Sequence, residues 1–224
     1  MSHDASTTLA MRLSLAVGFL MVVLKVGAYV LTGSASILGD AAESVVHVAA
    51  VMFAAFSLGL LKKPADDDHP YGHTKVAFFS AGIEGGLIIL AALFIIYESV
   101  HRWIHHLPPA NLDQGLLLTA LTIAINAALG WHLIRTGRKA GSLIVESNGK
   151  HVLTDVWTSL GVIIGLGLVA LTGWHGWDSV CGLVMAGNII WTGLGLMRQS
   201  VGGLMDTADP TLNAALDAAL RRET

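Results

Sequence analysis

Two pairs of metal-binding side chains lie inside long apolar segments of this sequence. The pairs are Glu43 with His47, and His151 with Asp155. Each pair is spaced four residues apart, which places both side chains on one face of a helix with Cβ atoms about 6 Å apart. An ionisable side chain at the centre of a bilayer costs about 2.5–3.5 kcal/mol on insertion scales. Four such groups in two short segments therefore need a physical reason.

The ligand chemistry of the two pairs offers that reason. Two carboxylates and two imidazoles from two helices are enough for one tetrahedral divalent metal ion, and imidazole favours zinc and its neighbours over calcium or magnesium. A divalent ion would balance the two carboxylate charges, and without metal the same groups can take up protons. The alternative is a set of inward-facing polar side chains that hydrogen-bond the helices together.

The composition indicates a protein that crosses a membrane several times. Of the 224 residues, 54% are hydrophobic and 13% are charged, whereas an ordinary soluble domain is about 25% charged. The Lys and Arg residues are scattered, so we expect no nucleic-acid partner. The single cysteine, Cys181, excludes a disulfide framework and a thiolate metal cluster. The polar first eight residues are not typical of a removable signal peptide.

Apolar runs separated by polar breaks predict an all-α membrane protein with six transmembrane helices. Each run is long enough to cross a hydrocarbon core of about 30 Å. Turn residues mark the breaks, among them Thr32-Gly33-Ser34, Thr136-Gly137 and Thr172-Gly173. The predicted helices cover residues 9–31, 36–61, 76–104, 112–134, 151–171 and 177–196.

The distribution of basic residues predicts that the N- and C-termini are both cytoplasmic. Basic residues concentrate in the second–third and fourth–fifth connections and near the C-terminal end, whereas the first–second and fifth–sixth connections contain no Lys or Arg. Cytoplasmic connections carry the excess of Lys and Arg in membrane proteins. The residues concerned are Lys62, Lys63, Lys75, Arg135, Arg138, Lys139, Lys150, Arg198, Arg221 and Arg222.

Two further charged residues fall inside predicted spans. Lys25 lies in the first span, where it needs a partner or must extend its ammonium group to the interface. Asp40 lies one helical turn before Glu43. Three roles stay open for Asp40: a proton relay, a carboxylate behind the metal ligands, or a charge at the mouth of a pore.

The second–third connection holds another group of metal-type ligands. Residues 66–73 read Asp-Asp-Asp-His-Pro-Tyr-Gly-His. Three carboxylates and two imidazoles in eight residues can bind a divalent cation at the membrane surface. The alternative is a solvated acidic loop in which Asp68 or Thr74 caps the third helix.

These segments resemble the cation diffusion facilitator family of divalent-metal/proton antiporters. The resemblance covers nearly the whole chain, from the first span to Asp206. It rests on residues 33–40, on residues 66–75, on Ile83-Glu84-Gly85 and on residues 151–162. It implies a six-helix cation efflux domain over residues 1–206, followed by a short cytoplasmic tail over residues 207–224.

The resemblance also implies roles for individual residues. It implies a transport site with four ligands, Glu43, His47, His151 and Asp155. It implies a second metal site in the connection, at Asp66, His69 and His73. It further implies an ion pair between Lys75 and Asp206 that holds the third and sixth helices together at the cytoplasmic end.

The chain departs from the family pattern in three places. Most members carry Asp or His, then Asp, where this chain has Glu43 and His47, so the metal preference depends on the two imidazoles. Ala77 stands where many members carry Glu. Most members continue into a soluble metal-binding domain, and this chain stops where that domain would begin. We therefore expect any homodimer to form through contacts in the membrane.

Together these features predict an exporter in the bacterial inner (plasma) membrane, and not an enzyme. We expect it to exchange cytosolic Zn2+, with Cd2+ as the next candidate, for protons by alternating access. The alternatives are the same scaffold carrying Fe2+, Mn2+, Co2+ or Ni2+, a structural or metal-sensing membrane protein without transport, and an intramembrane zinc hydrolase. Hydrolysis is disfavoured because the chain has no HExxH sequence, and four protein ligands leave no open metal position.

Overall fold

The computed structural model describes residues 2–61, 63–64, 66, 70, 72–73 and 75–205. These residues form helices and connections, with no strand among them. The helices are α1 Ser2–Thr32, α2 Ala35–Leu61, α3 Val76–Ile104, α4 Leu112–Ala140, α5 Leu143–Thr172 and α6 Gly176–Leu204. The predicted all-α architecture is confirmed.

Five of these helices are long and apolar enough to cross a membrane. Within the described residues they are α1 (from Leu9), α3, α4, α5 and α6. The prediction that α2 is also a span, and that both termini face the cytoplasm, stays a prediction.

The predicted turn at Thr136-Gly137 is wrong. Helix α4 continues to Ala140 and ends at Gly141, which has a left-handed φ of 64°, as is common after a helix C-terminus. Gly137 is instead a packing position, since a Cβ atom there would lie 2.5 Å from the Glu146 backbone nitrogen. A glycine inside a helix is thus explained by the close approach of α5 rather than by a turn.

The predicted start of the fifth helix, at His151, is also wrong. Helix α5 begins at Leu143, because the Ser142 hydroxyl caps it by accepting a hydrogen bond from the Val145 backbone N–H at 3.5 Å. His151 therefore lies more than two turns inside the helix, where its backbone is fixed.

Two helix pairs form the most extensive contacts, α3 with α6 and α4 with α5, and α2 contacts α1, α3, α5 and α6. Close approach depends on small residues, as expected for helices in lipid. A Cβ atom on Gly85 would lie 2.9 Å from the Gly193 carbonyl oxygen across the α3–α6 contact. Helix α2 belongs to neither pair and contacts members of both.

The N-terminus of α2 is fastened to α6 by one buried carboxylate. Asp178 accepts hydrogen bonds from the Ser34 hydroxyl at 2.6 Å, the Ala35 N–H at 2.8 Å, and the Ser36 N–H and hydroxyl at 3.1 and 2.6 Å. The first N–H groups of a helix lack partners within the helix, and an anion beside them is stabilised by the helix dipole. The aspartate of α6 thus caps α2 from another helix.

Candidate metal site

The four predicted ligands lie where α2 and α5 face each other inside the bundle. His47 is about 18 Å along α2 from its start and about 21 Å from its end, at 1.5 Å per residue. Glu43, His47 and Asp155 are half-buried, and His151 is more open. The predicted i, i+4 pairs therefore lie on helices that contact each other.

The two imidazoles are in direct contact across the helix interface. His151 Nε2 lies 3.0 Å from His47 Nδ1, within hydrogen-bond distance, and the ring centroids are 4.3 Å apart. Two nitrogens that bind one tetrahedral zinc ion at about 2.0–2.1 Å are separated by roughly 3.3 Å. The observed separation of 3.0 Å is thus close to that required for shared metal binding.

The two carboxylates flank this histidine pair. Asp155 Oδ1 lies 4.0 Å from His151 Nε2, and Glu43 lies beside the Thr158 hydroxyl of α5. In this conformation no three His, Cys, Asp or Glu side chains of the described residues converge on one point. The two imidazole nitrogens are hydrogen-bonded to each other in this conformation. Metal binding requires that this hydrogen bond opens.

A cavity of about 120 Å³ adjoins the histidine pair. It has room for several water molecules or a partly hydrated ion. Its polar lining consists of Glu43, His47, Glu84, His151, Asn188 and Thr192. Glu84 comes from α3; its segment Ile83-Glu84-Gly85 carries part of the family resemblance, but no metal-binding role was predicted for it.

Asp40 is ion-paired with Lys25, the buried lysine whose partner the sequence could not identify. Lys25 Nζ lies 2.8 Å from Asp40 Oδ1, and both side chains are 3% exposed. The Ser159 hydroxyl lies 2.9 and 3.0 Å from the two Asp40 carboxylate oxygens. The group joins α1, α2 and α5 one turn from the candidate ligands, so Asp40 faces a fixed positive charge.

The candidate site in the α2–α3 connection is described only in part. His73 Nε2 lies 3.6 Å from Asp66 Oδ2, so two of its three predicted ligands are close together. The third, His69, lies outside the described residues.

The predicted ion pair between Lys75 and Asp206 also falls partly outside the described residues, since Asp206 is beyond them. The Lys75 ammonium donates a hydrogen bond to the Leu204 carbonyl oxygen at 3.4 Å, at the last residue of α6. A cation at this end is favoured by the helix dipole. Lys75 thus lies at the end of α6, and its ion pair with Asp206 stays a prediction.

Comparison with known proteins extends these observations. The cation efflux transmembrane domain matches residues 11–205. An uncharacterized transporter of Synechocystis is 42% identical over 190 residues, which are 84% of this chain and 60% of that protein. The cadmium, cobalt and zinc/H(+)-K(+) antiporter of Bacillus subtilis is 27% identical over 187 residues, or 83% of this chain and 59% of the relative.

A further relative is the cation-efflux pump FieF of Citrobacter koseri, which is 28% identical over 191 residues, or 85% of this chain and 63% of the pump. The chain thus spans about three-fifths of the length of these relatives. The domain match, the five apolar helices and the bacterial relatives identify a multi-pass protein of the inner membrane. The chain belongs to the cation efflux family, the cation diffusion facilitators, whose members are transporters rather than enzymes.

Proposed function

We propose that this protein exports a divalent metal ion, Zn2+ in the first place, in exchange for protons. The observation that carries the proposal is the contact between His47 Nδ1 and His151 Nε2 at 3.0 Å, across two helices of a membrane bundle. Glu43 and Asp155 lie beside that contact, so two imidazoles and two carboxylates are available to one ion.

Competition for the two imidazole nitrogens would link metal and proton exchange. A metal ligand must present a free lone pair, so binding at both nitrogens requires the proton between them to leave, either to the other nitrogen of its ring or, where both rings are protonated, to solvent. When protons return, they occupy the same nitrogens and the carboxylates, and the ion loses its ligands. Metal and proton therefore compete for one set of atoms.

The packing of α2 supports a mechanism of alternating access. Helix α2 carries Glu43 and His47, and it contacts both the α3–α6 pair and the α4–α5 pair. A change in the tilt of α2 against α5 would open or close the ligand set, with the site exposed to one side of the membrane at a time. In this proposal α2 is the sixth span, both termini are cytoplasmic, and residues 1–206 form the transport domain.

Zinc is proposed because of the two imidazoles. Such a ligand set suits Zn2+ better than Mg2+ or Ca2+. The same holds for Cd2+, which is a softer ion than Zn2+. The Bacillus subtilis relative is named for cadmium, cobalt and zinc. Fe2+, Mn2+, Co2+ and Ni2+ are the alternative substrates, because glutamate at position 43 changes the second-helix half of the site.

Transport by purified protein in proteoliposomes tests the proposal. We expect Zn2+ movement that depends on a pH gradient, and its loss in His151→Ala and in Asp155→Ala. His132→Ala is the matched control, because His132 is an exposed histidine on α4. Normal transport by both ligand variants would contradict the site assignment, and a panel of divalent metals would identify the substrate.

The site in the α2–α3 connection is proposed as a capture site. The closeness of Asp66 and His73 supports it. Replacing Asp66, His69 and His73 together by alanine is expected to raise KM for Zn2+ more than it lowers kcat. A complete loss of transport in folded protein would contradict a capture role.

A dimer through membrane contacts is part of the same proposal. All six helices leave large apolar side chains on the surface, for example Phe19, Val45, Phe94, Leu117, Ile164 and Trp191. Lipid or a second copy covers such surfaces. Measuring the mass of the purified protein in a membrane mimetic that keeps this apolar surface covered would give the number of copies.

A further inference from the structure

Two cavities meet at a single carboxylate, Glu84 of α3. The first is the cavity beside the histidine pair. The second, of about 330 Å³, lies between α2 and α3 and is lined by Ala49, Met52, Phe53, Ser80, Ile83, Glu84 and Leu87. Among the described residues, Glu84 is the one side chain that lines both cavities.

The second cavity extends from the metal site toward the α2–α3 connection. Along α2 its lining runs from Ala49 to Phe53, and along α3 it runs back from Leu87 to Ser80. Beyond it, the Ser57 hydroxyl donates to the Ser80 hydroxyl at 3.0 Å. This contact is four residues from the end of α2 and four from the start of α3. The cavity thus lies between the connection and the histidine pair.

Among the described residues, Glu84 makes no contact of the kind that fastens one helix to another. In the part of the chain that is described, its carboxylate makes no hydrogen bond or ion pair. A half-buried carboxylate without a partner is unfavourable unless a cation or a proton offsets its charge. Its surroundings in the second cavity are apolar except for Ser80.

A divalent cation that entered this largely apolar cavity would need ligands along its path. Conduction and transport require binding positions that the ion can enter and also leave. Glu84 supplies a carboxylate at the junction, and Asn188 and Thr192 line the first cavity with neutral oxygen atoms. One carboxylate with weak neutral ligands binds more weakly than two imidazoles and two carboxylates, as an intermediate position should.

We propose that Glu84 is a relay ligand, a weak cation-binding position that passes the divalent ion between the α2–α3 cavity and the His47–His151 pair. The proposal rests on the transport function proposed above and adds to it a fifth metal-binding residue, on a third helix. It also assigns the α2–α3 cavity as the path of the ion on the side of the connection.

The test is Zn2+ transport by Glu84→Gln, which keeps the size of the side chain and removes its charge. We expect KM for Zn2+ to rise about tenfold, as for removal of a group that supports a metal site, while kcat stays within about twofold of the wild-type value. Glu84→Asp keeps the charge and should recover most of the loss. Asp113→Asn is the control, because it removes an exposed carboxylate in the first turn of α4 and should leave KM unchanged.

The outcomes separate this proposal from the function on which it rests. An unchanged KM in Glu84→Gln would overturn the relay, and so would a loss of kcat at unchanged KM, which indicates a structural role. If the wild-type protein moves no divalent ion, the proposed function fails. A Zn2+ titration of the detergent-solubilised protein then still tests Glu84, since equal affinities of Glu84→Gln and Asp113→Asn would overturn it and a weaker Glu84→Gln would support it.

Discussion

Replacing Lys25 by methionine is expected to destabilise the bundle strongly, because it leaves the Asp40 carboxylate buried without its counter-charge. Methionine preserves most of the length and apolar volume of the lysine stem. Both partners are 3% exposed and 2.8 Å apart, so neither solvent nor salt screens the pair. The Ser159 hydroxyl still donates to Asp40, but it brings no charge.

The expected loss of stability follows from the geometry of the ion pair. At 2.8 Å and an effective dielectric constant of about 20, the attraction between the charges is about 6 kcal/mol. Part of this offsets the desolvation of the two ions, and removal of one partner of a buried pair costs about 3–5 kcal/mol. For a chain of this size, about 2–4 °C of melting temperature corresponds to each kcal/mol, which gives a decrease of roughly 10 °C.

Thermal unfolding of the purified protein in one detergent or nanodisc provides the measurement. The double variant Lys25→Met/Asp40→Asn should regain most of the lost melting temperature, because it removes both charges. Lys139→Met is the control, since it removes an exposed lysine near the end of α4. Equal melting temperatures for Lys25→Met and Lys139→Met would refute the reasoning.

Transport by the same double variant decides what Asp40 does. If Asp40 only balances Lys25, the double variant should retain Zn2+ transport that depends on a pH gradient. If it regains stability but loses the dependence on the gradient, Asp40 is a proton relay, the first of the roles suggested by its position one turn before Glu43.

Three further predictions follow from specific contacts. Asp178→Asn removes the charge that caps α2 and should lower stability by about 1–2 kcal/mol, measured by thermal unfolding; a smaller effect in high salt than in low salt would contradict a buried cap. Gly85→Ala places a Cβ atom 2.9 Å from the Gly193 carbonyl oxygen and should cost about 1–3 kcal/mol, whereas Gly86→Ala has no neighbour within 4 Å and should be neutral. Ser159→Ala removes a donor to a buried carboxylate and should cost about 1–3 kcal/mol, and a stability equal to wild type would show that the donor is dispensable.

Hydropathy predicted the helix boundaries well where the apolar segment and the helix have the same ends. The predicted third helix, residues 76–104, agrees with α3 at both ends. The early start of α5 was missed because residues 143–150 include Glu146, Ser147, Asn148 and Lys150, which lower the mean hydropathy. A local cap at Ser142, and not burial in lipid, determines that boundary.

The candidate site was predictable only within each helix. The i, i+4 spacing places Glu43 near His47 and His151 near Asp155, because the helix alone determines which side chains share a face. That α2 meets α5 at these faces is a property of packing, and so is the pairing of Lys25 with Asp40 from another helix. Glu84 was unassigned for the same reason, since its cavity is formed by residues of several helices.

The cap that Asp178 places on α2 holds one end of this helix in place. Four hydrogen bonds hold the N-terminal end against α6, so any tilt of α2 must pivot there. At 1.5 Å per residue, a tilt of about 10° would carry the backbone of His47 through about 3 Å and that of Leu61 through about 7 Å. A small rotation about one aspartate is thus enough to separate His47 from His151 by more than the width of a metal ion, and the largest displacement would fall at the α2–α3 connection.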